Sequence, residues 1–339
     1  MKELIRTTPF DAGLSEGARN AVRTCLRIQP GEPVTLIADE ACREIAASLA
    51  QELEGIGADY HAFLLEAMAP RPLTDMPGEI LASLERSTAS IYCVYAQRNE
   101  LKTRMQMMEV VNRRRIRHGH MVNITQQIMM DGMRADFNKV DEISVKVREI
   151  AMSSRQIRAT TPAGTDLTAR ISPDYNWLKT SGIISPEKWG NLPGGEVFTT
   201  PEEVNGTLVI DGVVGDWLCA KYGNLRECPL TIHVEGNRLV AAESDNQDLR
   251  DTFWKYTHTD ENSDRVGEFA IGTNIALRGV IGNILQDEKI PGVHIAFGNP
   301  YGEHTGAKWY SSTHIDVVGV NFDIWADDRH IMHQGHFLL

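Results

Sequence analysis

The segment His294–Asp316, HIAFGNPYGEHTGAKWYSSTHID, holds three of the 11 histidines of a 339-residue chain, together with Glu303, Asp316, Tyr301 and Tyr310. Imidazole nitrogen and carboxylate oxygen are the donors that suit zinc, cobalt or manganese. The spacing sharpens this reading. In THIDVVGV, His314 and Asp316 are two apart, so on a strand they share a face, with Ile315 and Val317 on the other. In VHIAFG, His294, Ala296 and Gly298 share one face and Val293, Ile295 and Phe297 the other. In GEFAIGTN the sharing set is Glu268, Ala270 and Gly272, opposite Phe269 and Ile271. Two strands thus repeat one pattern: a metal-grade side chain, then alanine, then glycine. The small residues leave a hollow beside the ligand while the opposite face packs. A further carboxylate, Glu196, follows Pro193, Gly194 and Gly195, whose flexibility lets backbone approach closely at the start of a strand.

One histidine in a strand is ordinarily a half-buried polar residue, and Glu268 alone reads as a solvated strand end. The set carries the metal reading, not any member. Glu303 and His304 read as loop surface, and His330, His333 and His336 as a solvent-facing terminal strand or tail.

The elements that must position these residues divide the chain in two. From EPVTLIADE to ASIYCVYA, short apolar runs alternate with amphipathic segments, including CREIAASLAQELEGIG with Ile45, Leu49, Leu53 and Ile56 at helical spacing. That alternation predicts a parallel sheet covered by helices. Residues 99–152 read as mostly helical. After residue 152 come β-branched runs separated by glycine and asparagine turns, among them a hairpin turn at Glu235–Asn237. NIALRGVIGNILQDEK reads as the one good helix of this half, with Thr273 or Asn274 as its cap. The expectation is an α/β chain: a parallel-sheet α/β domain over 1–152, then a β-rich α+β metal-binding domain over 153–339.

Composition narrows the function. Hydrophobic residues make up 42% of the chain and charged residues 24%, which is enough for a core in each half. A net charge of −12 argues against nucleic acid as a partner, because phosphate binding needs a basic surface. The basic run Arg113, Arg114, Arg115, Arg117, with His118 and His120, reads as a solvated helix face or an interface. There is no phosphate-binding glycine loop, no apolar run of about 18 residues that would span a membrane, and no leader-like N-terminus. Five irregularly spaced cysteines read as free thiols. The expected setting is the cytoplasm.

With the segments GGEVFTTPEE, EFAIGTN, GNILQDEK, HIAFGNPYG and HIDVV in this order, the second half resembles the M29 metalloaminopeptidases, the aminopeptidase T and S group. The first half agrees only in being α/β. The resemblance implies a pair of divalent ions (zinc, cobalt or manganese) held by Glu196, Glu268, His294, His314 and Asp316, with Tyr301 at the family's tyrosine position and Glu196 and Tyr301 in catalytic roles. Glu268 would bridge the ions. The implied reaction is removal of N-terminal residues from a peptide, or cleavage of a small amide, by metal-activated water, in a homodimer. The chain is shorter than the larger aminopeptidases of the group, which leaves the substrate open. The fold group also resembles the 2,5-dihydroxypyridine dioxygenases, with one iron(II) in a triad of two histidines and a carboxylate. There the position of Glu268 is a histidine, and the counterparts of Glu196 and His294 are not ligands. A metal hydrolase acting on a non-peptide amide, or a binding protein with a vestigial site, is also compatible with the pattern.

Overall fold

Val34, Leu36, Ile37 and Ala38 are all fully buried, as a strand covered on both faces requires. In the computed structural model, which describes residues 2–97 and 99–339, this run is the strand Pro33–Ala38 of a five-stranded parallel sheet. The strands lie in the order Asp59–Leu64, Pro33–Ala38, Ala89–Cys93, Arg117–His120 and Gly190–Asn191. The helix Arg43–Gly55 buries Ile45, Leu49 and Leu53, as its periodicity predicts. Ile37, Tyr92, Met107 and Val111 join one apolar cluster between the sheet and its helices.

Residues 99–152 are less uniformly helical than expected. Helices cover Leu101–Arg114, Gln126–Met130 and Phe137–Ser153, but Arg117–His120 is a strand. The basic run is split by it. Arg113 and Arg114 close a helix in solvent, and Arg115 turns the chain with a left-handed backbone (φ 54°). His118 is fully buried, its Nδ1 2.8 Å from Ser90 Oγ and its Nε2 3.1 Å from His120 Nδ1. Polar residue types hid a buried strand that pairs with Ala89–Cys93.

Residues up to Asn138 together with Gly182–Gly194 form one compact unit, and Lys139–Ser181 with Gly195–Leu339 form another. A single cut at 152 does not describe them. Most of the helix Phe137–Ser153 goes with the second unit, because Val147 and Ala151 are part of its core.

The second unit is built on two antiparallel sheets. One has eight strands, in the order Arg238–Glu243, Leu230–Glu235, Glu203–Ile210, Asp166–Arg170, Gln156–Thr160, Asp323–Ala326, Arg329–His333 and His336–Phe337. The expected turn is present: Gly236 and Asn237 both have positive φ and join the first two of these strands. The other sheet has six, in the order Val213–Val214, His314–Val318, Gly292–Gly298, Val266–Gly272, Glu196–Thr199 and Leu178–Lys179. Leu167, Leu208 and Ile232 from the first share one core with Val197, Phe269, Ile295, Phe297 and Val317 from the second. Each such side chain contributes about 1.5–3 kcal/mol on burial.

The helix expected over residues 274–289 shrinks to one turn, Ile284–Asp287. Gly279 and Gly282 interrupt it, the latter with a φ of +80°. Asn283 caps the short turn through Leu285 N, while Asn274 Oδ1 accepts from Ala276 N in a turn of its own. Asp287 turns back and accepts hydrogen bonds from the backbone of Ile281, Gly282 and Asn283 at 3.0, 2.8 and 2.9 Å. Side-chain capture of backbone donors has replaced the helical ladder. The unit also contains the helices Asp216–Tyr222 and Gln247–Tyr256, which the residue pattern did not lead us to expect.

Candidate metal centre

The six-stranded sheet brings Glu196, Glu268, His294, His314 and Asp316 onto one face. In the register, Glu268 stands opposite Ala296, which stands opposite Asp316. Ala270 stands between Phe198 and His294, Gly272 opposite Glu196, and Gly298 opposite His314. Directly paired residues share a face, so the alanines and glycines form a low floor from which the acids and histidines rise. The other face carries Val197, Phe269, Ile271, Val293, Ile295, Phe297, Ile315 and Val317, none more than 1% exposed.

Three glycines fix the arrangement. A bulge at Gly267 shifts the register before Glu268, and a Cβ there would lie 2.3 Å from Gly298 O. Gly298, at φ +101°, passes equally close to Thr313 O, next to His314. At Gly272 a Cβ would meet Ile290 O at 1.9 Å, so only glycine lets the 273–291 loop cross here.

That loop adds two groups that the sequence pattern did not single out. Lys289, 1% exposed, places Nζ 2.6 Å from Glu196 Oε1 and also contacts the carboxylate of Glu288. Thr180 Oγ1 donates to the same Glu196 oxygen at 2.7 Å. The available signal was the run Asp287-Glu288-Lys289 before an apolar strand. Assigning those residues to a helix face concealed it.

The donor atoms face one another. His294 Nε2 lies 3.6 Å from Glu196 Oε2 and 3.5 Å from Glu268 Oε1. His314 Nε2 lies 4.0 Å from Glu268 Oε2 and 3.4 Å from Asp316 Oδ1. On this face three sets have ligand atoms mutually within 4.8 Å: Glu196, Glu268 and His294; Glu268, His314 and Asp316; and Glu288, His294 and Asp316; Asp323, His330 and His333 form a fourth such set elsewhere. His314 Nδ1 is 2.9 Å from Asn299 O and donates to it, which turns Nε2 toward the acids.

The electrostatics match a site built for cations. Burial would raise the Asp316 carboxyl, but His314 outweighs it and brings it down to about 2. Glu196 is also lowered against the effect of burial, by Lys289 and His294. Glu288 goes the other way. Burial, reinforced by Asp316 and Glu196, pushes it up to about 8 despite Lys289. His314 is raised to about 10, because Asp316 and Glu268 overcome its burial. The fit to a divalent ion has an independent sign: the buried Nε2 of His294 has no hydrogen-bond partner among the described residues. Such an orphaned polar atom costs about 1–3 kcal/mol, and an electron-pair acceptor there would remove that cost.

Tyr301 lies at the rim with a left-handed backbone (φ 50°). Its ring centroid is 4.5 Å from that of His314 and 6.4 Å from that of Phe198. Tyr301 is 42% exposed, but desolvation around its hydroxyl and the charges of Glu268 and Asp316 hold that hydroxyl well above its ordinary value, so it stays a donor. Glu303 and His304 are exposed, as expected. His330 and His333 form a separate group around Asp323 Oδ1, at 3.1 and 2.6 Å.

Known proteins share the fold and the family pattern of this chain. No curated protein matches the chain. Two solved structures share its fold at a TM-score of 0.70. Wild-type AmpT from Thermus thermophilus is 18% identical, covering 98% of this chain and 100% of its own. The 2,5-dihydroxypyridine dioxygenase from Pseudomonas putida KT2440 is 14% identical, covering 97% and 98%. The family model described as thermophilic metalloprotease (M29) matches residues 121–331, which include every donor named above. With more than half of its length matched, the chain belongs to the thermophilic metalloprotease (M29) family and is a metal-dependent hydrolase.

Proposed function

We propose that the chain is a dinuclear metalloaminopeptidase, with Glu196, Glu268 and His294 holding one divalent ion and Glu268, His314 and Asp316 the other. One observation carries this reading: Glu268 turns Oε1 toward His294 and Oε2 toward His314, the posture of a carboxylate shared between two cations. Zinc, cobalt and manganese all suit the donors. Such a pair supplies, when bound, Lewis-acid polarisation of the substrate carbonyl and an attacking water acidified to about pKa 7.

The chain's own residues do the rest. Glu288, near neutrality, accepts a proton at its carboxylate from the attacking water and returns it to the departing amine. Tyr301 donates its hydroxyl proton in a hydrogen bond to the oxyanion. Glu196, pinned on one oxygen by Lys289 and Thr180, presents the other to the site in a fixed direction. The excess of carboxylates favours a substrate with a free N-terminal amine. By family likeness we also infer a homodimer, and from the unpaired cysteines a cytoplasmic setting.

The dioxygenase reading calls for a single iron(II) and a histidine where Glu268 stands. The glutamate there, and the inclusion of Glu196 and His294 among the facing donors, support the hydrolase instead. Hydrolysis of aminoacyl anilides by protein loaded with zinc, cobalt or manganese, at two ions per chain, is the expected result. One iron per chain with oxygen uptake on a dihydroxypyridine, and no anilide hydrolysis, would overturn it.

A further inference from the structure

Lys289 is a buried ammonium on one side of a site meant for cations. Its backbone is held from both directions: its N–H donates to Gln286 O at 2.9 Å, and its carbonyl accepts from Asn274 N at 3.0 Å. The missing side chain of Gly272 admits the Ile290 carbonyl beside it. The side chain is 1% exposed and reaches Glu196 and Glu288 together. The loop therefore delivers a fixed positive charge to a set place.

Its effect on the two cation positions is unequal. Glu196 Oε1 already receives Lys289 and Thr180, so only Oε2 is free for the position shared with Glu268 and His294. A carboxylate paired with an ammonium offers less negative charge to a second cation, and the ammonium repels that cation directly. On the other side, neither Asp316 nor Glu268 makes an ion pair with a lysine or arginine among the described residues. Lys289 bonds Glu196 directly but reaches Asp316 only at a distance, and Asn299 O orients His314.

We infer that Lys289 divides the pair into a resident divalent ion at Glu268, His314 and Asp316 and an exchangeable one at Glu196, Glu268 and His294. This rests on the two-cation reading above. It makes the enzyme's activity follow free divalent metal through the weaker position, while the stronger position stays filled.

Zinc titration of the chelator-stripped full chain by calorimetry tests this, with metal content measured after desalting. A His330→Ala/His333→Ala background removes the separate group around Asp323. One equivalent is expected to survive desalting, with the second bound about 100-fold more weakly, the scale of a supporting contact around a metal ligand. Lys289→Met is expected to bring the two affinities to within about tenfold, while Lys308→Met, at an exposed position, leaves the gap unchanged. Should Lys289→Met fail to fold, His294→Ala serves instead. It is expected to lose the weak equivalent and keep the strong one, whereas Asp316→Ala loses the strong one. Two equally tight equivalents in the unsubstituted lysine background, or an unaltered gap in Lys289→Met, overturns the role of Lys289 and leaves the two-cation reading standing. Absence of any bound zinc overturns both.

Discussion

Arg71 in the first unit and Lys289 in the second are each a buried cation set among carboxylates, but only the first is fully used up. Arg71 donates Nε to Glu100, Nη1 to Asp39 and Glu66, and Nη2 to Glu100 and the carbonyl of Tyr95. That exhausts the five N–H groups of a guanidinium. Its acids are satisfied in turn: Asp39 also accepts from the backbone of Cys42 and Tyr95, and Glu100 from Leu73 N. The cluster sits past the carboxyl ends of Pro33–Ala38 and Ala89–Cys93, where open α/β sheets commonly bind ligands. The protein's own arginine fills that place. Around Lys289 the network is not closed in this way. Glu196, Glu268, Glu288 and Asp316 face one lysine and two histidines, and His294 Nε2 is left without a partner among the described residues. A closed polar network stabilises a fold, whereas one that stays open needs something from outside.

Breaking each cluster should therefore have opposite consequences. The largest effect is expected from Glu268→Gln. It takes one carboxylate oxygen and the charge from the residue shared by both donor sets, so metal-dependent hydrolysis should fall at least about 100-fold, while the thermal midpoint of the chelated protein holds or rises because one repelling charge is gone. A chelated variant that melts well below the parent would make Glu268 structural instead. Next comes Arg71→Met, which strands Asp39 and Glu100 without a cation. A loss of about 3–5 kcal/mol is expected for breaking a buried pair in this way, read from the denaturant midpoint and equal with or without metal. A change under about 1 kcal/mol would mean the network is not closed. Tyr301→Phe should lower kcat about 100-fold with little change in KM or metal content, as for loss of one oxyanion donor. A rise in KM alone would reassign it to substrate binding.

The smallest effects are in pH dependence, and they have opposite signs in the two units. Burial pushes His118 down to about 3. Below about pH 6.5 the unfolded chain takes up a proton that the folded chain refuses, so stability falls as pH drops from there toward 3. The slope is at most about 1.4 kcal/mol per pH unit for one group. His118→Asn should flatten that slope in denaturant titrations between pH 7 and 5; an equal slope would acquit the histidine. In metal-free protein His314 is raised to about 10. Its contribution is complete below about 6.5 and disappears as pH rises through 10. Saturating zinc should remove this alkaline loss, and its persistence in zinc would separate His314 from the metal.

Much of the second unit could be read without coordinates. Period-two alternation put Glu268, His294, His314 and Asp316 on faces opposite Phe269, Ile295, Ile315 and Val317, and the sheet register agrees. Local pattern is silent where no period exists and misleading where two periods compete. Arg117–His120 looked polar and helical because nothing local reveals that Ala89–Cys93 will cover it. Residues 274–289 had the apolar spacing of a helix, but Asp287 captures three backbone donors and breaks it.

The sequence by itself determined which side chains share a strand face, which residues are too small to fill the hollow beside them, and the family of the second half. These are local properties, set by strand geometry and residue volume. Only the tertiary structure decided that Glu196 comes alongside Glu268, that Lys289 sits against it, and that Arg71 closes the first cluster. Those contacts join residues far apart in the chain. They depend on where loops without periodicity cross, and that is fixed by packing at places such as Gly272.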